Sequence, residues 1–386
     1  MLQGKKAAII RRLRGLCGQV IGERYRLDEL LAVSGMGAVF RSRHLQLDKD
    51  VAVKLLRPDL SNNREVCARL QREAKLSSRL DHPNCVRVFD FGTTAEGTRF
   101  LVMELLRGRD LTSLLRRPLP LVHVVEITAQ ILEGLEHAHR RGVLHRDVKP
   151  GNIRLVNDDD GRVVAKVCDF GIAKAVGTGA TDTIITQIGT IFGTPVYMSP
   201  EQAAGHEIDH RADIYSVGVV MYEMLAGKPP FRDTDPVELL DAKIEGRIPP
   251  IADAPAPIVA VLQRMLAVLR KERFQSAAEA AVAVRAAGPK AGVVPEATPH
   301  EWASPLEEDV AEGLQVSGQE AGEELRSDTS IIRAFGAGLD KVLREPTPHA
   351  QARLHPGIHA AESPADDYID VDNLQLEELG GRDGES

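Results

Sequence analysis

The hydrophobic period of the chain changes from about two residues to about 3.6 roughly a third of the way along. Between Tyr25 and Phe91, short alternating segments predict strands around one helical stretch. From Leu121 to Arg141 apolar residues recur at helical spacing, and from Asp213 to Ala226 a second helix is apolar nearly all round. A strand-rich part followed by a helix-rich part predicts an α+β fold with two lobes and a cleft between them.

The charge is distributed unevenly along the 386 residues. The formal net charge is −8, yet the segment after Gly288 holds 7 Lys+Arg against 21 Asp+Glu, together with eight prolines. Such a composition is typical of disorder. We therefore predict a basic N-terminal extension over 1–22, a folded region over 23–288 with lobes at about 23–103 and 107–288, and an acidic, mostly disordered tail over 289–386.

Several function classes are disfavoured by composition. No apolar run approaches the length of a transmembrane helix. Four widely spaced cysteines without C-x-x-C spacing argue against a zinc site and a disulfide framework, and favour a reducing, cytoplasmic location. The basic N-terminus has too short an apolar stretch for a secretion signal. We predict that it is a solvated extension, with contact to an anionic surface as the alternative.

The segment Val51–Leu56 places a lysine on a strand. Val51, Val53 and Leu55 would share one face of that strand, and Ala52 and Lys54 the other. Phosphates could meet the ammonium and a purine ring the small, flat surface beside it. The alternative is an ordinary edge lysine that faces solvent.

A carboxylate on the next helix is a candidate partner for this lysine. The inward stripe of the helix comprises Val66, Leu70, Glu73 and Ser77. An unpaired carboxylate facing inward would be expensive, so Glu73 is expected to pair with Lys54. A surface pair with Arg72 or Lys75 is the alternative.

Two further segments combine polar groups and glycine. Around Gly35 and Gly37, backbone N–H groups would be free to approach phosphate oxygens, although the same pattern is typical of a hairpin turn. The segment His145–Asn152 concentrates charged and amide side chains directly after an apolar helix. Asp169 ends a later strand, and with Asn152 it would offer the oxygen ligands that Mg²⁺ prefers; a plain turn is the alternative.

Taken in order, these elements resemble a protein kinase, and specifically a bacterial eukaryotic-like (Hanks-type) serine/threonine kinase, from about Tyr25 to Ala287. The matching segments are Val51–Lys54, His145–Asn152, Asp169–Gly171 and Gly193–Glu201. Gln202 and the segment His82–Asn84 resemble the bacterial branch in particular. The resemblance implies a bilobal fold with a β-rich N-lobe and a helical C-lobe.

The resemblance assigns catalytic roles to four side chains. Asp147 would accept the proton of the substrate hydroxyl, and Lys149 would offset charge on the transferring phosphoryl group. Asn152 and Asp169 would hold Mg²⁺ or Mn²⁺. ATP is the implied phosphoryl donor.

Nucleotide contacts are likewise implied for one side of the cleft. They are Leu31, Gly35, Gly37, Val39, Ala52, Lys54, Glu73, Met103, Glu104, Leu106 and Asp169. Lys54 would bind the α/β-phosphates, Met103 would guard the back of the adenine pocket, and Glu104 and Leu106 would offer hinge backbone groups. The first two glycines of the family's phosphate loop are replaced here by Ala32 and Ser34, which would weaken ATP binding if positive φ were required there.

Structural and regulatory residues also follow from the resemblance. Asp213 resembles the aspartate that braces the catalytic loop, with a helix N-cap as the alternative reading. Glu201 and Arg273 resemble an ion pair at the end of the activation segment. Arg146 implies control by phosphorylation of that segment, for which we favour Thr186 and Thr190.

The implied function is phosphorylation of Ser/Thr hydroxyls on protein substrates in bacterial signalling, with an upstream kinase or adaptor supplying the input and no nucleic-acid partner. Two alternatives stand beside it: a pseudokinase scaffold with weak nucleotide binding, and a small-molecule phosphotransferase of related fold. The acidic tail would either lie across the basic body as an autoinhibitor or act as a solubilising extension.

Overall fold

The computed structural model describes residues 2–34, 37–57, 61, 64–170, 195–231, 236–251 and 254–289. Gly35, the predicted phosphorylation sites Thr186 and Thr190, and the acidic segment from residue 290 onwards lie outside these ranges. None of the helices in the described ranges is long and apolar enough to span a membrane.

Nine strands form two antiparallel sheets within the described ranges. The first sheet has the order β1-β2-β3-β4-β6-β5, with bounds Val20–Ile21, Tyr25–Ser34, Gly37–His44, Lys49–Leu56, Val88–Thr93 (β5) and Arg99–Met103 (β6). The second has the order β7-β8-β9, with bounds Gly108–Asp110, Ile153–Asn157 and Val163–Val167. The first sheet forms the N-lobe, and the second lies among the helices that follow it in the chain.

Eight helices accompany the sheets in the described part of the chain. They are α1 Leu2–Arg14, α2 Arg64–Ser77, α3 Leu121–His139, α4 Pro200–Ala203, α5 Arg211–Ala226, α6 Pro236–Ile244, α7 Ala256–Met265 and α8 Ala277–Ala287. Apart from α1 and α2 they belong to the C-lobe. The predicted α+β architecture, strand-rich first and helix-rich second, is confirmed.

Strand β4 has the predicted alternation of faces. Val51, Val53 and Leu55 lie in the core on one side of the first sheet. Ala52 lies in a separate apolar cluster on the other side, and the buried Lys54 shares that face because side chains alternate along a strand. The ammonium therefore faces the cleft and not the outer core of the N-lobe.

The N-terminal segment was expected to be a solvated extension, and this expectation is wrong. Residues 2–14 form α1, whose Ile9 and Leu13 are buried against the core of the first sheet, followed by the buried Leu16. The exposed Arg11 and Arg14 lie between these apolar positions. Burial of three aliphatic side chains at about 1.5–3 kcal/mol each explains why the helix packs instead of fraying.

Helix α5 is the central element of the C-lobe. Nearly every residue from Ala212 to Met224 is buried, as the apolar sequence predicts. The helix ends at Gly227, whose φ of 67° is a left-handed conformation that glycine adopts without a steric penalty. Both α3 and α7 pack against α5, which is therefore the helix on which the C-lobe core is built.

A fully buried lysine ties α6 to the segment before α4. Lys243 Nζ donates to the carbonyl oxygens of Val196 (2.6 Å) and Met198 (2.8 Å). The ammonium also lies 4.5 Å from the ring centre of Phe231 and 5.5 Å from that of Tyr215. Burial lowers the pKa of Lys243 from its ordinary value of 10.5 to about 7.

This lysine should give the protein a pH-dependent stability. Between about pH 7 and 10.5 the unfolded chain binds more protons than the folded one, so the free energy of unfolding rises with pH, by up to about 1.4 kcal/mol per pH unit. Lys243→Met should lack this slope. Urea unfolding from pH 7 to 9 measures it, and the exposed Lys228→Met should keep the slope of the wild type. Parallel curves for wild type and Lys243→Met would contradict the assignment.

Candidate active site

The loop between α3 and β8 brings three predicted catalytic side chains into contact. It ends in a tight 3₁₀ turn, Pro150–Asn152. Asn152 Nδ2 donates to both the backbone oxygen (2.7 Å) and Oδ2 (3.0 Å) of Asp147. Lys149 Nζ lies 3.1 Å from the same Oδ2. One oxygen of Asp147 is thus held by two donors, which leaves the other to accept a proton.

The carboxylate of Asp213 holds this loop by accepting two of its backbone N–H groups. Its Oδ2 accepts the backbone N–H of His145 (2.9 Å), and its Oδ1 accepts that of Arg146 (2.7 Å). Because α5 begins at Arg211, Asp213 lies inside the helix, so the N-cap alternative is wrong. Burial would raise the pKa of Asp213, but the hydrogen bond and charge of His139, 2.8 Å away, bring it below its usual range.

Arg146 holds an unusual backbone conformation. Its φ is 66°, in the left-handed region that a residue with a Cβ seldom adopts. Burial lowers the pKa of its guanidinium, and the negative charges of Glu73 and Asp213 oppose that shift. Glu73 of the N-lobe therefore acts electrostatically on the catalytic loop.

Asp169, one residue beyond the Cys168 that follows β9, pairs with the strand lysine. Lys54 Nζ lies 2.8 Å from both Oδ1 and Oδ2 of Asp169. Burial would raise the pKa of Asp169, but the charge and hydrogen bond of Lys54 lower it. The charges of His145 and Lys149 act in the same direction, so Asp169 lies within electrostatic reach of the catalytic loop.

The expected contact between Glu73 and Lys54 is not formed in this structure. Glu73 is partly exposed, and Ala74 takes the buried position of α2 between Leu70 and Ser77. Leu70 and Ala74 of α2 pack against Leu56 and Leu101 of the sheet, and a cavity lined in part by Ser77, Met103 and Asp169 lies beside this contact. Because Asp169 offers both carboxylate oxygens at short distance, it replaces Glu73 as the partner of the lysine.

Four of the predicted nucleotide contacts lie in one apolar cluster. Ala52 and Met103 pair across β4 and β6, and they cluster with Val39, Val86 and Leu106. The predicted contact residue Leu31 is 37% exposed on β2. A flat aromatic ring fits a surface of this composition.

The hinge after β6 is braced by Glu104. Its backbone N–H donates to Arg87 O (2.9 Å), while its carboxylate accepts the N–H of Arg87 (2.8 Å) and contacts Lys166 Nζ on β9 (2.8 Å). The side chain of Glu104 therefore links the hinge to the second sheet. This leaves its backbone carbonyl as the group suited to a nucleotide base.

Ala32 and Ser34, which stand where the family's phosphate loop has glycines, carry no backbone strain in the described part of that loop. Ala32 and Ser34 lie on β2, paired with Val39 and Gly37, and neither has a positive φ. Gly37 is needed for a different reason, since a Cβ there would lie 2.0 Å from Leu55 O. The expected weakening of ATP binding depended on a positive φ that Ala32 and Ser34 do not adopt.

A buried ion pair anchors the segment that begins at residue 195. Arg273 Nη1 and Nη2 donate to Glu201 Oε1 (2.7 Å) and Oε2 (2.8 Å), as the sequence resemblance implies. Burial would raise the pKa of Glu201, and the Arg273 hydrogen bond and charge lower it. The remaining donors of Arg273 bind the backbone oxygens of Ala267, Arg211 and Val268.

Three side chains contribute to the site without having been assigned a contact from sequence. They are His139, which contacts Asp213; Lys166, which contacts Glu104; and Gln202, whose Nε2 donates to Arg146 O at 2.9 Å. Only Gln202 had a local signal, because Ser199 three residues earlier forms a capping box with it. The other two depend on long-range pairing that no local pattern reveals.

Asn152 supplies an amide oxygen and Asp169 supplies carboxylate oxygens, which together form the donor set that suits Mg²⁺. The described residues hold no group of three or more His, Cys, Asp or Glu side chains suited to a metal. Two protein ligands are sufficient for an ion that keeps several waters and phosphate oxygens. The donor set therefore fits a metal brought in with a nucleotide.

Sequence comparisons with known proteins match this chain to protein kinases, in agreement with the geometry of the site. A sequence model of the protein kinase domain matches residues 25–283. The serine/threonine-protein kinase pkn3 of Myxococcus xanthus is 43% identical over 235 residues, covering 60% of this chain and 43% of the relative. The serine/threonine-protein kinase PknB of Mycobacterium leprae is 38% identical over 268 residues, covering 67% of this chain and 42% of the relative.

Solved structures give the same result for the fold. The crystal structure of the Mycobacterium tuberculosis PknI kinase domain superposes with a TM-score of 0.54 at 28% identity, covering 70% of this chain and 98% of that domain. The chain spans less than half the length of the pkn3 and PknB relatives. The similarity therefore concerns the catalytic region.

Proposed function

Because the chain belongs to the protein kinase family, we propose that it transfers the γ-phosphoryl group of ATP to Ser or Thr hydroxyls of proteins. The observation that carries the proposal is the contact set of Asp147, with Asn152 and Lys149 on one carboxylate oxygen. His145 Nε2 of the same loop lies 2.8 Å from the carbonyl oxygen of Cys168, the residue that precedes Asp169, the partner of Lys54. Positioning and electrostatic stabilisation are what phosphoryl transfer requires.

Each side chain has a definite task in this mechanism. The free oxygen of Asp147 accepts the proton of the substrate hydroxyl as that oxygen attacks the γ-phosphorus. Lys149 offsets negative charge on the transferring group, and Lys54 binds the α/β-phosphates. Asn152 and Asp169 would hold Mg²⁺ or Mn²⁺, which neutralises phosphate charge when bound.

The acceptor is a protein in this proposal. Lys149 and the segment Gly193–Glu201 resemble the elements that serve a polypeptide substrate, which disfavours a small-molecule phosphotransferase. Autophosphorylation at Thr186 and Thr190, an input from an upstream kinase or adaptor, and a cytoplasmic location complete the proposal.

A radiolabel assay tests the proposal. Purified protein is incubated with γ-labelled ATP and Mg²⁺, with a generic protein acceptor or a panel of small alcohols, and with a metal-free control. We expect label on Ser or Thr of protein, dependent on the metal. ATP binding without any transfer would identify a pseudokinase scaffold, and label on small alcohols alone would identify a small-molecule phosphotransferase.

A further inference from the structure

Arg146, the residue before Asp147, is held in a backbone conformation that a residue with a Cβ does not favour. Arg146 has a φ of 66° although it carries a full side chain. Such a conformation persists only where the surroundings determine it. Because the next residue is Asp147, the contacts that hold the backbone of Arg146 also set the position of the catalytic carboxylate.

Three hydrogen bonds hold this stretch of backbone. The N–H of Arg146 donates to Asp213 Oδ1 at 2.7 Å, and the N–H of Asp147 donates to His145 Nδ1 at 3.2 Å. The carbonyl oxygen of Arg146 accepts from Gln202 Nε2 at 2.9 Å. Of these three partners, only Gln202 comes from α4, the helix that follows the segment beginning at residue 195.

The orientation of the Gln202 amide is fixed by a second contact. Its Oε1 accepts the backbone N–H of Ser199 at 3.0 Å, and the backbone N–H of Gln202 donates to Ser199 Oγ at 3.3 Å. If the amide were flipped, both side-chain contacts would be lost, because Oε1 would face Arg146 O. The partly buried side chain is thus locked with its NH₂ group toward the catalytic loop.

The capping box alone does not require glutamine at this position. A glutamate would accept the Ser199 N–H equally well. It would, however, place a carboxylate oxygen against the carbonyl oxygen of Arg146, where a donor is needed. The requirement for glutamine therefore comes from the catalytic loop.

We propose that Gln202 is a positioning residue for Asp147, acting through the carbonyl group of Arg146. This inference rests on the proposed kinase function. Loss of the donor would let the Arg146–Asp147 peptide rotate and move the carboxylate from the line of attack. The rate of transfer should suffer, whereas ATP binding, which depends on Lys54 and the adenine surface, should not.

The test compares three variants of the full chain. Gln202→Glu keeps the acceptor for Ser199 but loses the donor, Gln202→Met loses both, and the control Ser276→Ala removes the N-cap hydroxyl contact of α8, where Ser276 Oγ accepts the backbone N–H of Glu279 at 3.0 Å. We expect both Gln202 variants to lower kcat by about tenfold or more, with KM for ATP within about twofold of the wild type. Ser276→Ala should lower the melting temperature and keep kcat, because it removes a cap of α8 while the Gln202 contact to Arg146 persists.

Hydrogen exchange of the segment 143–152 provides a readout that does not depend on activity. The Gln202 variants should exchange faster there than wild type and Ser276→Ala. If wild type transfers no phosphate but this difference appears, the kinase proposal fails and the positioning contact stands. Wild-type kcat together with wild-type exchange in Gln202→Glu would overturn the inference, as would losses that merely follow the melting temperatures of all three variants.

Discussion

Asp147→Asn should reduce the rate of phosphoryl transfer by about 10²- to 10⁴-fold while leaving the affinity for ATP within about twofold. The amide can keep its oxygen toward Asn152 Nδ2 and Lys149 Nζ, both of which donate to Oδ2 in the wild type. An NH₂ group then replaces Oδ1, and it cannot accept the proton of the substrate hydroxyl. The loss corresponds to about 3–5 kcal/mol of transition-state stabilisation.

Single-turnover transfer to a peptide measures the rate, and calorimetry measures ATP affinity. Asp241→Asn, an exposed substitution of the same type on α6, serves as the matched control and should transfer at the wild-type rate. If Asp147→Asn retained more than about a tenth of the wild-type rate, Asp147 would not be the group that accepts the proton.

Arg273→Met should destabilise the folded protein by about 3–5 kcal/mol, because it leaves the buried carboxylate of Glu201 without its partner. The side chain of Arg273 is 0% exposed and that of Glu201 is 7% exposed. Three backbone oxygens that accept from Arg273 lose their donor as well. The free energy should appear as a drop in melting temperature of roughly 10 °C.

Two comparisons make this result specific to the buried pair. Arg247→Met breaks an exposed pair with Glu245, with side chains 59% and 60% exposed, and should cost no more than about 1 kcal/mol. Arg273→Met with Glu201→Leu should be less destabilised than Arg273→Met alone, because no uncompensated charge remains. Equal losses in Arg273→Met and Arg247→Met would show that the ion pair contributes little.

The sequence predicts those features of the site that depend on a local period or a contiguous motif. The faces of β4 follow from strand alternation, and the apolar character of α5 follows from its composition. The cluster of Asp147, Lys149 and Asn152 follows from a motif of eight residues, because the single 3₁₀ turn Pro150–Asn152 is enough to bring these groups into contact.

Other features depend on how distant elements meet. Whether Lys54 pairs with Glu73 or with Asp169 depends on how α2 is placed against the sheet, and no periodicity encodes that placement. The packing of α1 was missed for a similar reason. Its basic residues dominate the composition, whereas the buried face is marked by Ile9 and Leu13 of the helix, with Leu16 after it.

The central claim is that Lys54, Asp147, Asn152 and Asp169 act on one metal–ATP complex in the cleft. Calorimetric titration of the protein with a non-hydrolysable ATP analogue, with and without Mg²⁺, tests this most directly. Mg²⁺ should tighten binding to wild type and to Asp241→Asn by at least about tenfold, or about 1.4 kcal/mol, and this gain should disappear in Asp169→Asn. Nucleotide binding that is indifferent to Mg²⁺ in the wild type, or a gain that survives in Asp169→Asn, would contradict the account.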